Sequence, residues 1–168
     1  MAKLAIAGIV SGVLCHFAAE HRWLEDVKLF GVEVVVGLVY ALVVGGALAF
    51  GGAGRSPALL AWGGLVVAAW IAAARVGIEM FDPVTAIVRG RGELVTAGAV
   101  GGLVGGAIHS IANTLILPAT RTARAFLTVT AVGTLAGASI GVQDELWLLF
   151  VLWQGGVAGA TGWVVEKA

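Results

Sequence analysis

Six long apolar runs, separated by short clusters of charge, constrain this chain more than any other feature. They cover residues 4–19, 29–50, 57–74, 92–117, 125–141 and 145–165. A helix that crosses the hydrocarbon core of a bilayer needs about 20 residues, with about 17 at the short end. Inside that core the backbone N–H and C=O groups can be satisfied only by a helix or a closed barrel. The runs therefore read as an all-α integral membrane protein with six transmembrane helices. The first and fifth runs are short, so they are expected to tilt or to extend into their loops. Composition agrees: 12% of the residues are charged and 60% are hydrophobic, whereas soluble domains carry roughly 25% charge. A formal net charge of zero leaves no basic field for nucleic acid. The chain is expected to form a single membrane domain over residues 1–168.

Within the apolar runs one pattern occurs twice. Gly8-xxx-Gly12-xxx-His16 lies in the first run and Gly101-xxx-Gly105-xxx-His109 in the fourth, each position displaced by 93 residues. The next helical turn adds Glu20 in one copy and Asn113 in the other. Residues four apart share a helix face, so each copy is a glycine groove that ends in polar side chains. Such grooves let a second helix backbone approach closely. Gly133 and Gly137 mark a similar face in the fifth run, and the 26 glycines of the chain are well above the usual ~7%. Trp62-Gly63-Gly64 and Gln154-Gly155-Gly156 extend the match at an offset of 92. These recurrences predict two three-helix halves, residues 1–75 and 92–168, joined by a loop over 76–91. Three spans per half would place the halves in opposite orientations, an arrangement common among transporters.

The ends of the runs carry helix signals. Ser56-Pro57 reads as a cap and first helical residue, Asp144 as the cap of the sixth helix, and Pro118 as the stop of the fourth. Trp147 and Trp163 stand about 24 Å apart along a helix, close to the spacing of the two interfacial aromatic belts. Trp62, Trp70 and Trp153 are expected to pack between helices. Six spans put both termini on one side. Lysine and arginine are balanced five against five between the two sides, whereas acids concentrate on the side away from the termini. We expect cytoplasmic termini and a bacterial inner-membrane location. The first run lacks a small-x-small cleavage site and a basic flank beyond Lys3, so it is read as a retained helix. Cys15 is the single cysteine, which excludes a disulfide within the chain.

Ionisable side chains at membrane depth are functional candidates. His109, well inside its span, is the foremost; His16, Glu33, Asn113 and Glu20 follow. Glu33 is expected four residues into the second span, within reach of His16 or Arg22. Cys15, His16, Glu20 and His21 are close in sequence but point in different directions around a helix, so no metal site is expected there. No cofactor is implied. No protease, hydrolase or phosphate-loop motif occurs, and the chain is not expected to be an enzyme. The leading expectation is a channel or transporter for an ion or small solute, with a narrow path or one between protomers of a homo-oligomer. The alternative is a non-catalytic membrane subunit that scaffolds or anchors a larger complex. The lipid bilayer is the partner common to both.

Overall fold

The computed structural model describes residues 2–22, 26–53, 57–85, 90–141 and 146–168. Six α-helices follow one another: α1 Ala2–Glu20, α2 Val35–Leu48, α3 Pro57–Thr85, α4 Arg91–Ile116, α5 Ala123–Ala138 and α6 Leu146–Lys167. A wide final turn, Ala49–Ala53, prolongs α2. All six are long and apolar enough to cross a membrane once the turns at the ends of α2 and α5 are included. The expected caps at Ser56 and Asp144 lie outside the described residues. Elsewhere the ends are built as the sequence suggests. Pro118 opens a short turn over Pro118–Thr120, and the Thr122 hydroxyl accepts from the Ala125 N–H at 3.1 Å to start α5. The Glu93 carboxylate accepts from the Gly90 N–H at 3.0 Å at the start of α4.

Each helix packs against its neighbours in sequence, and α6 returns to pack against α1, so the helices close a ring. Glycines make the tightest of these contacts. A Cβ on Gly8 would meet the Gln154 carbonyl, and one on Gly12 would lie 2.7 Å from the Val151 Cα, both on α6. A Cβ on Gly101 would lie 2.6 Å from the Ala73 carbonyl oxygen, and one on Gly105 2.8 Å from the Ala73 Cβ, both on α3. Between α4 and α5, Gly102 and Gly106 oppose Gly133, while Gly98 and Gly102 oppose Gly137. In hydrocarbon, lipid tails are as apolar as the helix surfaces, so backbone-to-backbone packing of this kind is what holds helices together.

Each copy of the motif thus builds an antiparallel seam between the two expected halves, α1 on α6 and α4 on α3, but the facing residues do not correspond. Gly8 lies against Gln154 and Ala158, whereas Gly101 lies against Ala73 and Gly77. Trp62 is in ring contact with His109, whereas Gln154, which the sequence match places at the corresponding position, bonds Cys15.

Two parts of the sequence reading are corrected. The span expected to end at residue 74 continues as helix to Thr85, so residues 76–85 are not part of a loop. Its 29 residues extend about 44 Å, well beyond the ~30 Å hydrocarbon core. Arg75, Glu79 and Asp82 are exposed and lie on the helix, not beyond its end. Arg75 and Glu79 form an ion pair one turn apart at 2.6 Å. The second correction concerns residues 28–33. Lys28–Leu29 and Val32–Glu33 pair as antiparallel strands β1 and β2, so Glu33 precedes α2 and does not lie within it. Phe30 and Gly31 have φ of 52° and 77°, the two positive values that a two-residue type I′ hairpin turn requires. The Trp70 indole donates to the Glu33 carbonyl at 2.8 Å, and Arg75 donates to the Phe30 carbonyl at 3.4 Å, which docks the hairpin on α3.

The ring is apolar outside, and its largely apolar interior also holds a set of buried polar side chains. Leu42, Leu60, Leu127 and Leu135 are each more than 60% exposed, while Ser11, His109, Ser110, Asn113, Thr130, Gln154 and Thr161 are buried. A soluble protein would not expose apolar surface on this scale, whereas hydrocarbon would cover it.

Candidate functional site: a buried aromatic and polar centre

His109 lies on the Gly101–Gly105 face of α4, about two turns before the helix ends, and is 1% exposed. Two helices bring aromatic rings to it. Tyr40 of α2 meets the imidazole edge-on at 5.5 Å between centroids, and Trp62 of α3 does so at 6.0 Å. Tyr40 also contacts Trp62 at 6.5 Å and Trp153 of α6 at 6.2 Å. These side chains fill the middle of the ring. The remaining gap, bordered by Val36, Gly37, Tyr40, Val66, Trp70, Trp153 and Gln154, is too narrow for a water molecule.

One turn beyond His109, Asn113 is fully buried and bonded at both ends of its amide. Its amide oxygen accepts from the Trp62 indole at 3.0 Å, and its amide nitrogen donates to the Thr161 hydroxyl at 2.9 Å. Thr161 in turn donates to the Val157 carbonyl of its own helix at 2.9 Å. Asn113 therefore ties α3, α4 and α6 together. On the other side of the centre, the Gln154 amide donates to the Cys15 sulfur at 3.3 Å, and the Cys15 thiol faces the Val36 carbonyl at 3.5 Å. Ser110, on the opposite side of α4, donates to the Gly106 carbonyl at 2.8 Å and lies 3.3 Å from the Thr130 hydroxyl of α5.

Against this well-paired background three buried atoms stand out. Among the described residues, His109 Nδ1, Tyr40 Oη and Ser11 Oγ have no hydrogen-bond partner. Burying a polar group without a partner costs free energy, so each such atom calls for an explanation such as a water or a ligand. Two of the three belong to side chains in ring contact with each other.

The structure separates the residues that the sequence grouped. His109 and Asn113 sit in the centre. His16 sits at the end of α1, about a third exposed, 3.3 Å from the Glu20 carboxylate and 6.2 Å from the Trp147 ring. Glu33 is half-buried in the hairpin. Cys15 turns inward to α2 and α6, while the His21 ring faces the Phe17 carbonyl at 3.0 Å, so these neighbours in sequence do not converge. Trp62 and Trp153 pack between helices as expected. Tyr40 is legible in the sequence only as one of several hydroxyls at membrane depth, and Gln154 and Thr161 do not stand out there as site residues. A hydroxyl or amide within an apolar run was their signal in the sequence, and it does not say which helices meet.

No family model matches this chain, no curated protein is similar to it in sequence, and no solved structure matches its fold. The functional reading therefore rests on the residues themselves.

Proposed function

We propose that this chain is an integral membrane protein that passes an ion or small polar solute through the centre around His109. The observation that carries this reading is the pair of unpartnered polar atoms, His109 Nδ1 and Tyr40 Oη, buried within a ring whose outer surface is apolar. Polar groups at that depth are costly and mark solute or proton pathways in membrane proteins. In the arrangement described the path is closed. Tyr40, Trp62 and Trp153 are its constriction, and a hydrophobic constriction can gate by excluding water. Rotation of these rings would expose Nδ1 and Oη to a passing solute. The role requires no covalent chemistry. The duplicated glycine motif fits a two-half transporter plan, with each copy packing one half against the other.

The test is flux into liposomes containing the purified protein, read with proton, potassium and ammonium indicators. The double variant His16→Ala, His109→Ala is expected to lose the wild-type flux, and His109→Ala alone to account for the loss. Undiminished flux through the double variant overturns the reading.

A second reading is favoured by one observation, the filled centre of the ring. A bundle with no open path suits a subunit that anchors or scaffolds a membrane complex, or one that lines a pore only between protomers. Absence of flux together with stoichiometric partners retained on purification would establish it.

A further inference from the structure

On the outer surface of the ring, α5 and α6 leave a groove lined by Thr128, Val132, Gly156, Gly159, Ala160 and Trp163, with a volume of about 330 Å³. All six residues are half-buried, so the groove opens to the surroundings. Its floor is set by glycines: a Cβ on Gly156 would lie 3.1 Å from Val132, and one on Gly159 would lie 3.3 Å from Ala5 of α1. Apart from the Thr128 hydroxyl its walls are apolar. Trp163 closes one end, and the Arg124 guanidinium lies 5.3 Å from the centre of the Trp163 ring. An apolar channel thus runs along the bundle to a cation held at its mouth.

The charge around that mouth is one-sided. Among the described residues, this end of the bundle carries Lys3, Arg121, Arg124 and Lys167 against a single acid, Glu166. The acids Glu20, Asp26, Glu33, Glu79, Asp82 and Glu93 lie toward the other end. Arg121 donates through Nε to the Thr114 carbonyl at 2.9 Å, which fixes a second guanidinium near the first turn of α5. A tryptophan and an arginine at the end of a span are the side chains that anchor at the headgroup level. Lying over the Trp163 ring, the exposed Arg124 guanidinium can still offer N–H donors to a phosphate.

We propose that this groove is a binding site for an anionic phospholipid, with an acyl chain between α5 and α6 and the phosphate on Arg124. The inference rests on the bilayer setting proposed above and is independent of transport. A second copy of the chain is the poorer occupant. In a shared bilayer it would present the same basic end at the same depth, and so bring no counter-charge to Arg121 and Arg124.

The test is native mass spectrometry of the detergent-purified protein with equal amounts of phosphatidylglycerol and phosphatidylcholine of matched chains. Phosphatidylglycerol adducts should exceed phosphatidylcholine adducts about fivefold, the effect of roughly one cation at an anionic surface. Arg124→Ala should remove that preference and Arg124→Lys should keep it. Ala160→Phe, which fills the groove, should lower adducts of both lipids while helical content by circular dichroism stays unchanged. Equal retention of the two lipids by the wild type overturns the proposal, as does an unaltered preference in Arg124→Ala. Unaltered adducts in a folded Ala160→Phe variant do so too, and a dimer abolished by Ala160→Phe would assign the groove to a second copy. If Ala160→Phe does not fold, the exposed Arg124 variants decide. Failure of the bilayer setting has its own signature: recovery of the protein from cells in the soluble fraction without detergent.

Discussion

His16 and His109 end the same nine-residue pattern, yet they occupy different worlds. His16 is about a third exposed at the end of α1 and pairs with Glu20 at 3.3 Å. His109 is 1% exposed, surrounded by aromatic rings, and its Nδ1 has no partner. The glycines ahead of each do the same work in both places, letting another helix come into backbone contact. A local pattern therefore sets which face of a helix is buried. Depth along the helix, and what waits there, is set by where the helix begins and by its neighbours. α1 ends one turn after His16, whereas α4 runs two turns past His109 to Ile116.

This contrast can be broken most sharply at what the two sites share. Gly8→Leu and Gly101→Leu each force a side chain into the facing backbone, of α6 and α3 respectively. Each is expected to destabilise by about 3 kcal/mol, the upper end for overpacking, measured as thermal unfolding in detergent. Equal, large losses would show that the two seams are equivalent in energy even though their polar ends are not.

The next effect distinguishes the ends. Asn113→Leu leaves the Trp62 indole and the Thr161 hydroxyl without their shared partner, at an expected cost of about 1–2 kcal/mol. Glu20, at the equivalent position of the first copy, is exposed, and Glu20→Leu should cost far less in the same assay.

His109→Phe removes a buried nitrogen that makes no hydrogen bond and keeps a ring of similar shape. Its stability should stay within about 1 kcal/mol of wild type or rise, while liposome flux is lost. A variant that is both stable and inactive would show that the imidazole is retained for function, whereas a large loss of stability would make it structural. The smallest effect belongs to His16→Phe. The His16–Glu20 pair is partly exposed and charged only when the imidazole is protonated, so its removal should cost about 0.5 kcal/mol or less.

Much of this architecture was legible before any coordinates. Six apolar runs became six helices, because an apolar stretch of membrane length has few alternatives. The glycine faces were readable for the same reason that they work: period four places small residues in a line. One stripe was overlooked. Gly98, Gly102 and Gly106 on α4 oppose Gly133 and Gly137 of α5, and they were masked by the more conspicuous Gly101–Gly105–His109 face beside them.

The errors have physical causes as well. Charges at Arg75, Glu79 and Asp82 were read as loop because polarity usually ends a span, but a helix can outrun the bilayer when its polar residues stand one turn apart on an exposed face. The run from Leu29 to Val36 is continuously apolar except for Glu33, so hydropathy does not separate strand from helix there. Positive φ at Phe30 and Gly31 does, and asparagine or aspartate, the usual companions of glycine in such a turn, are not present to announce it.

By itself the sequence determined the all-α, six-helix class of the protein and the composition of its seams. Both follow from properties that each residue carries alone: its preference for hydrocarbon, and whether it has a Cβ. Only the tertiary structure decided that His109, Tyr40, Trp62 and Trp153 meet, that Asn113 joins three helices, and that α5 and α6 part to leave a groove beside Arg124. Those facts depend on how six helices rotate and slide against one another, and residues dozens of positions apart come into contact only once every seam has been chosen.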